Sequence, residues 1–284
     1  MMNKKKTALV VEGGGNRGVF SFGITDSFIR NNFDPFDIYI GVSNGAAVLF
    51  WYLMRESENN LDKMLFGAKS KYIKYKNLFS KKDVISFHDL YKDADNFFKP
   101  DLTKLKNNIH DKIYSVVVSD ANTAKSEYLQ FEESYWIDAM IASGTLPLLV
   151  KTPSIIDGKR KFDGGITDPI PVKKAYEMGA REIVVIRTYE KEFKRKIKLE
   201  NYIAAIYLKN YPNLRKAMLT HDITYNDSLA FINNPPRDCK IYHVCPPHRL
   251  KTKRDSTDQQ IMEKDYELGL SVGNRFINSF SPKN

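Results

Sequence analysis

Two glycine-rich turns, each lying between a short apolar run and a helical pattern, constrain the fold of this chain more than any other feature. The first turn, EGGGNRG at residues 12–18, follows TALVV, and the second, GVSNG at residues 41–45, ends the run DIYIGVS. Helical patterns follow at about residues 19–30 and 44–55. Strands that alternate with helices in this way are typical of an α/β fold with a parallel sheet.

The same alternation continues through the rest of the chain. We predict further strands at KIYSVVVSD, SEYLQF, REIVVIRTY and KIYHVCPP, a hairpin turning at Asp157-Gly158, and helices at about 135–142, 172–180 and 258–277. With 284 residues, of which 42% are hydrophobic, the chain is long enough for one sizeable core. We therefore predict a single domain over residues 1–284, with the motifs in a core of about 7–187 and a C-terminal strand and helices at about 191–284.

The first turn also satisfies G-x-G-x-x-G, the pattern of dinucleotide-binding loops. That function requires an acidic residue at the end of the second strand, where it binds the ribose. Asp34 and Asp37 precede this strand, and Ser43 stands at its end. A phosphate-binding P-loop is excluded as well, because no Gly-Lys-Ser/Thr follows the glycines. The turn is therefore expected to bind a different negative charge.

The second turn matches G-x-S-x-G, the nucleophile elbow, in which a serine occupies a strained bend and flanking glycines avoid collisions with neighbouring backbone. Ser43 would be the nucleophile, with Gly41 and Gly45 beside it. The alternative is an ordinary serine N-cap. A serine nucleophile also needs hydrogen-bond donors for the oxyanion of the tetrahedral intermediate. The consecutive glycine amides of EGGGNRG, placed before a helix, are suited to that role.

Three aspartates are candidates for the base that activates this serine. Asp157 is explained by the hairpin turn, and Asp120, at the end of VVVSD, by a turn in DANTAK. Asp163 ends the returning strand KRKF and is followed by Gly164 and Gly165, a doubled glycine that permits close backbone approach. We therefore predict Asp163 as the base, and an ordinary Asx-turn is the alternative.

GGGNRG, GVSNG and DGG, in this order, resemble the motifs of the patatin-like phospholipase family. ASGTLPLL at residues 142–149 and DGGITDPIPVKKAYEMGAREIVVI at residues 163–186 extend the similarity, which covers about residues 7–187. The resemblance implies a three-layer α/β/α sandwich with a central, mostly parallel sheet. It also implies hydrolysis of lipid acyl esters without a metal or another cofactor.

Position by position, the resemblance implies a Ser-Asp dyad, with Ser43 as the nucleophile and Asp163 as the base. The oxyanion loop would consist of Gly13, Gly14 and Gly15. Residues that support the motifs are Arg17, Gly18, Gly41, Gly45, Gly164 and Gly165. The predicted function is that of a serine acyl hydrolase similar to phospholipase A or lysophospholipase. Because a free aspartate has a pKa near 3.9, we expect activity to persist below pH 6, where a histidine base is protonated.

Two other functions remain open on the sequence. The order Ser, Asp, His of an α/β-hydrolase triad is met by His221, His243 and His248, but several strands precede the elbow in that fold and only one clear strand precedes Ser43. A non-catalytic protein that binds anionic lipid is the second alternative. His243, Cys245 and His248 lack a fourth ligand with zinc spacing, so we predict no metal site.

The charge of the chain favours an anionic partner. Lysine and arginine number 44 against 34 aspartates and glutamates, which gives a net charge of +10. Two basic stretches contain aromatic residues, KSKYIKYKNLFSKK at 69–82 and KEFKRKIK at 191–198, and a solvated surface is the alternative interpretation of both. We predict peripheral contact with an anionic membrane surface and, since no recognition motif is present, no nucleic acid partner.

The cysteines and the apolar segments bear on location. Cys239 and Cys245 would lie roughly 20 Å apart in a strand, beyond disulfide reach, which favours a reducing compartment. The apolar run from Ala8 to Val11 is too short for a signal peptide, and no stretch has the length of a membrane span. We therefore predict a cytoplasmic protein that is at most peripheral to a membrane.

Overall fold

The strands form one sheet in a computed structural model that describes residues 5–56, 60–77, 80 and 82–280. Within these residues the strands are β1 (Lys6–Val11), β2 (Ile38–Val42), β3 (Ile113–Asp120), β4 (Ser126–Gln130), β5 (Ser154–Ile156), β6 (Lys159–Asp163), β7 (Ala180–Ile186) and β8 (Lys240–Val244). The order across the sheet is β5-β6-β3-β2-β1-β7-β8, and β4 also pairs with β3. Neighbouring strands in the series β3-β2-β1-β7-β8 pair in parallel. β4 and β6 pair antiparallel with β3, and β5 pairs antiparallel with β6.

Helices cover both faces of this sheet. In the described part of the chain they are α1 (Val19–Arg30), α2 (Asn44–Leu53), α3 (Asn60–Gly67), α4 (Phe87–Phe98), α5 (Leu102–Asn108), α6 (Trp136–Gly144), α7 (Val172–Glu177), α8 (Leu199–Tyr207), α9 (Pro212–Leu219), α10 (His221–Asn233) and α11 (Gln259–Ser279). Leu9 and Val11 of β1 pack in one core with α1, α2, α6 and α11. Ala8 and Val10 pack in the other with α7 and α10. The α/β/α sandwich with a mostly parallel sheet is therefore confirmed.

Most elements lie where the sequence predicts them. The first predicted helix coincides with α1, and the hairpin turns at Asp157 and Gly158, whose φ angles are 50° and 71°. Cys239 and Cys245 are free thiols on either side of β8. The sequence patterns do not predict α8, α9 and α10, which lie within residues 199–233. In the described ranges, no helix combines the length and apolar character needed to cross a bilayer.

The pairing of β3 brings two distant strand ends together. β2 pairs in parallel with β3 as far as Val42 opposite Val117, and β6 pairs antiparallel with it from Val118 opposite Asp163. Because β4 covers the other edge of β3, β2 and β6 follow each other along the same edge. Ser43, the residue after Val42, therefore lies beside Asp163.

The C-terminal part of the chain packs onto this core. β8 extends the sheet in parallel with β7. α11 crosses α1 where Gly23 approaches Gly269, and a Cβ at Gly269 would collide with the carbonyl oxygen of Phe20. Glycine is thus required for the close contact between these two helices.

Candidate active site

Ser43 lies in the turn between β2 and α2 in a strained backbone conformation. Its φ and ψ are 54° and −129°, values that a non-glycine residue adopts only when its surroundings impose them. A Cβ at Gly41 would stand 2.5 Å from Ala46 Cα, and one at Gly45 would collide with the carbonyl oxygen of Val11. The Ser43 side chain makes no capping hydrogen bond to α2, so the N-cap alternative does not hold. The turn has the geometry of a nucleophile elbow.

Ser143 on α6 supports this turn. Its hydroxyl oxygen accepts a hydrogen bond from the Ser43 N–H at 2.7 Å and donates one to the Val117 carbonyl of β3, also at 2.7 Å. Ser143 is fully buried, so both bonds are shielded from water. The sequence does not identify this role, because Ser143 appears there only as one letter of ASGTLPLL.

Asp163 ends β6 with its carboxyl group in the interior, and the residue is 2% exposed. The carboxylate accepts a hydrogen bond from the Gly165 N–H at 2.7 Å. Burial raises the pKa of Asp163 to about 7, although this hydrogen bond, the neighbouring Ser43 side chain and the charge of Arg254 lower it. The side chains of Ser43 and Asp163, the two residues of the expected dyad, are thus neighbours.

The glycine loop after β1 lies against the serine. A Cβ on Gly13 would be 2.9 Å from the Cβ of Ser43, so the loop backbone lies directly against this serine. Among the described residues, the N–H groups of 13–15 have no hydrogen-bond acceptor, whereas the Asn16 N–H donates to the Arg254 carbonyl at 2.9 Å. The three expected amides are therefore the ones available to an oxyanion.

Buried polar contacts hold this loop on the end of β7. Glu12 accepts hydrogen bonds from the Thr188 N–H at 2.7 Å and from the Tyr225 hydroxyl at 2.6 Å. Arg17 donates to the Thr188 carbonyl and lies 3.8 Å over the ring of Tyr189. Both charged side chains are buried, and their contacts fix the position of the loop.

The remaining motif glycines lie at contacts between elements. A Cβ on Gly18 would collide with the side chain of Asn44, and one on Gly164 with the Val117 carbonyl oxygen. Gly165 supplies the N–H that binds Asp163. The motif-supporting glycines thus border either the elbow or the aspartate.

The other two aspartates have structural contacts. Asp157 occupies the turn of the β5-β6 hairpin with a positive φ. Asp120 forms an ion pair with Lys161 at 2.9 Å and accepts a hydrogen bond from the Thr123 N–H at 2.9 Å. Burial raises the pKa of Asp120, but the contacts with Thr123 and Lys161 together outweigh it and lower the pKa to about 2. Both aspartates therefore have the turn roles expected from the sequence.

The histidines proposed for a triad bind other groups. His243 Nε2 accepts a hydrogen bond from Arg187 at 2.9 Å, and burial, together with the charge of Arg187, lowers its pKa to about 4. His221 binds the backbone of Gly165, and burial lowers its pKa to about 4 as well. His248 is exposed. The described residues also contain no group of three or more histidine, cysteine, aspartate or glutamate side chains suited to a metal ion.

An apolar cavity of about 180 Å³ opens at Ser43. It extends between α2, α3 and α4, and its walls include Ala47, Met64, Leu90 and Ala94. Lys63 also borders the cavity, but its ammonium group lies 4.1 Å over the Trp51 ring and donates to Asn60 at 2.9 Å. The charge is therefore satisfied, and the space suits an unbranched apolar group.

A smaller cavity of about 80 Å³ borders the backbone next to Asp163. Its walls include Gly165, Arg195, His221 and Arg254. Arg254 borders both cavities, and its guanidinium is paired with Glu200 at 3.0 Å. The smaller cavity thus has mainly apolar walls as well, Met218 among them, but it also carries two arginines, one of which is paired.

Known proteins resemble this chain in sequence and in structure. A sequence model described as patatin-like phospholipase matches residues 9–176, and one described as a domain of unknown function (DUF6363) matches residues 211–282. The chain is 28% identical over 283 residues to the uncharacterized protein YjjU of Escherichia coli (strain K12), covering 96% of this chain and 77% of that protein. VipD from Legionella pneumophila is similar in structure, with a TM-score of 0.48, 15% identity and coverage of 98% of this chain and 67% of that chain. The first match spans more than half of the chain and includes both Ser43 and Asp163.

Replacing Asp163 by asparagine should stabilise the fold most strongly at high pH. The folded pKa of about 7 lies above the unfolded value near 3.9, so the contribution of the carboxyl group to stability falls as the pH rises from about 4 to 7. The asparagine side chain does not titrate, so its contribution to stability does not depend on pH. The gain in the free energy of unfolding should be about 2 to 3 kcal/mol larger at pH 8 than at pH 5, measured by urea denaturation of both proteins.

Asp120→Asn is the matched control for this experiment. The pKa of Asp120 is about 2, so its ionised form stabilises the fold above about pH 4, and this contribution is lost as the pH falls toward 2. Its replacement should therefore destabilise the protein by a similar amount at pH 5 and pH 8. A pH-independent effect of Asp163→Asn would contradict the burial of a titrating carboxyl group at position 163.

Proposed function

Because the chain belongs to the patatin-like phospholipase family, we propose that it is a serine acyl hydrolase that cleaves acyl esters of lipids with Ser43 and Asp163. One observation carries this proposal: a strained serine in contact with a buried carboxyl group opens onto an apolar cavity of about 180 Å³. The cavity alone would suit a lipid-binding protein. Such a protein would not need a serine held under backbone strain against a carboxylate.

In the proposed reaction, Ser43 Oγ attacks the ester carbonyl carbon while the Asp163 carboxylate accepts the hydroxyl proton. The carbonyl oxygen becomes an oxyanion, which the amides of residues 13–15 stabilise. The tetrahedral intermediate then breaks its bond to the alcohol, which leaves with the proton from Asp163. Water attacks the resulting acyl-enzyme in the same way, and a free carboxylic acid is released.

The two cavities suggest how the substrate lies in the site. With the ester carbonyl at Ser43, the acyl chain fills the apolar cavity between α2, α3 and α4. The alcohol part then lies toward the smaller cavity, whose walls combine apolar side chains such as Met218 with Arg195 and Arg254. The guanidinium groups, of which that of Arg254 is already paired with Glu200, can bind a phosphate on the alcohol, and the apolar walls can bind hydrocarbon.

The raised pKa of Asp163 replaces the earlier expectation of activity below pH 6. Burial raises this pKa to about 7, so most of the carboxyl group is protonated at pH 6 and does not accept a proton. We expect kcat/KM to fall below about pH 7. A histidine base gives a similar curve, but its pKa decreases on warming, whereas that of a carboxyl group hardly changes. Measuring kcat/KM against pH at two temperatures distinguishes them, and an apparent pKa that decreases on warming would argue against Asp163.

Ser43→Ala and Asp163→Asn should each lower hydrolysis roughly a thousandfold or more, since each removes a group that acts on the reacting atoms. The measurement is release of fatty acid from a panel of phospholipids, lysophospholipids and nitrophenyl esters. Labelling by a fluorophosphonate should disappear in Ser43→Ala. His243→Asn serves as the control and should retain activity, because His243 borders neither cavity. An active Ser43→Ala protein would refute the proposal, and an inactive but folded His243→Asn protein would favour a triad.

The apolar cavity predicts a dependence on acyl length. Each buried methylene contributes about 0.8 kcal/mol, so kcat/KM should rise roughly fourfold per added carbon until the cavity is full. Ala94→Phe on α4 should shift the optimum to shorter nitrophenyl esters and leave the shortest one unaffected. Phe97→Ala is the control, because Phe97 is exposed on the same helix and lies outside the cavity. An unchanged optimum in Ala94→Phe would mean that the acyl chain binds elsewhere.

A further inference from the structure

Helix α8 carries its bulky apolar side chains on the outside. Five residues with the spacing i, i+3, i+4, i+7 and i+8 share one face, namely Leu199, Tyr202, Ile203, Ile206 and Tyr207. All five are exposed, Leu199 by 74% and Ile206 by 65%. The side that packs on the protein carries the smaller Ala204 and Ala205. An apolar stripe with this spacing usually faces a core, so its exposure indicates a contact outside the chain.

Basic residues lie in the chain on both sides of α8. Residues 191–216 contain Lys191, Lys194, Arg195, Lys196, Lys198, Lys209, Arg215 and Lys216. The acidic residues in the same range are Glu192 and Glu200, and Glu200 is paired with Arg254 at 3.0 Å. Tyr202 and Tyr207 add amphipathic rings of the kind enriched at the boundary between headgroups and acyl chains. Aliphatic, aromatic and basic side chains are together typical of a helix that lies in a membrane interface.

The inner side of α8 forms part of the candidate active site. Glu200, Asn201 and Ala204 border the smaller cavity together with Gly165, which donates a hydrogen bond to Asp163. A helix with its side chains is about 10 Å across. A surface that binds the outer face of α8 therefore lies roughly one helix diameter from the smaller cavity.

We propose that α8 and the exposed basic residues of 191–216, which do not include the half-buried Arg195, bind an anionic lipid surface and hold the active site against it. This inference rests on the proposed function, because a lipid hydrolase must reach esters within a membrane. An anionic bilayer matches both the apolar face and the charge around it. A second copy of this chain would cover the apolar face but matches the charge less well, because a symmetric contact would bring the same basic residues of both copies together.

The other basic stretch, residues 69–82, is arranged differently. Lys71 is paired with Asp93 at 2.8 Å, and Tyr72 is buried. Lys81 lies outside the described residues. Of the two stretches predicted to contact a membrane, 191–198 is the one that leads directly into an exposed apolar helix face.

The test compares the full chain with Leu199→Asp/Ile206→Asp, both in a Ser43→Ala background. Neither residue borders a cavity, and both are highly exposed, so the fold should be retained. Flotation with phosphatidylcholine vesicles, with and without phosphatidylglycerol, measures binding. We expect binding only with phosphatidylglycerol. The double variant should bind roughly a hundredfold more weakly, since the loss of the apolar burial of each replaced side chain lowers the affinity about tenfold.

Ile223→Asp is the matched control, because Ile223 is also 65% exposed but lies on α10, and it should bind as the wild type does. Equal loss in this variant, or binding that does not depend on phosphatidylglycerol, would overturn the proposal. The proposal would also be overturned if the wild type formed a dimer that bound no vesicles and that the α8 substitutions dissociated.

Failure of this inference and failure of the proposed function are distinguishable. Vesicle binding is measured without turnover, whereas hydrolysis of a dispersed short-chain ester is measured without vesicles on proteins that retain Ser43. A chain that hydrolyses the ester but does not bind anionic vesicles would refute only the role of α8. A chain that binds the vesicles but hydrolyses no ester would refute only the enzymatic proposal.

Discussion

The strained backbone of Ser43 is the constraint on which the rest of the site depends. A conformation of this kind costs of order 1 to 3 kcal/mol and persists only where the surroundings enforce it. Here the close approach of Gly45 to the Val11 carbonyl and the hydrogen bond from the Ser43 N–H to Ser143 enforce it. In this bend the side chain does not cap α2 and instead contacts Asp163. A turn without this strain would place the Ser43 side chain differently and would lose its position beside Asp163.

The burial of Asp163 is coupled to this geometry and has opposite effects on folding and chemistry. Removing the carboxylate from water raises its pKa to about 7, which makes the ionised form costly in the folded state. The same shift makes the ionised form a stronger base than an exposed aspartate. Asp120 shows the contrast, because its ion pair with Lys161 keeps its pKa low. The cation that acts on Asp163 is Arg254, whose charge is shared with Glu200.

The local parts of the site follow from the sequence, whereas the long-range parts do not. A strand-turn-helix bend depends on glycines adjacent in the chain, so GVSNG and EGGGNRG are sufficient to predict Ser43 and the loop at 13–15. The prediction of Asp163 needs more, namely the doubled glycine after it and the family resemblance. Ser143 and Arg254 are not predicted, because their contacts join segments that are far apart in the chain. The same limit applies to the pKa of Asp163, which depends on burial, and to α8, where helical spacing shows which residues share a face but not which face points inward.

The C-terminal segment takes part in the site even though it lies beyond the patatin-like match at residues 9–176. The Arg254 carbonyl accepts a hydrogen bond from the Asn16 N–H at 2.9 Å, and the Ser256 carbonyl accepts one from the Asn16 side chain at 2.7 Å. These bonds fix the end of the glycine loop and occupy the amide that follows residues 13–15. Because Arg254 also borders both cavities, one segment within residues 211–282 contacts the candidate oxyanion loop and both cavities together. The geometry of the proposed chemistry and the selection of its substrate are therefore both expected to depend on this segment.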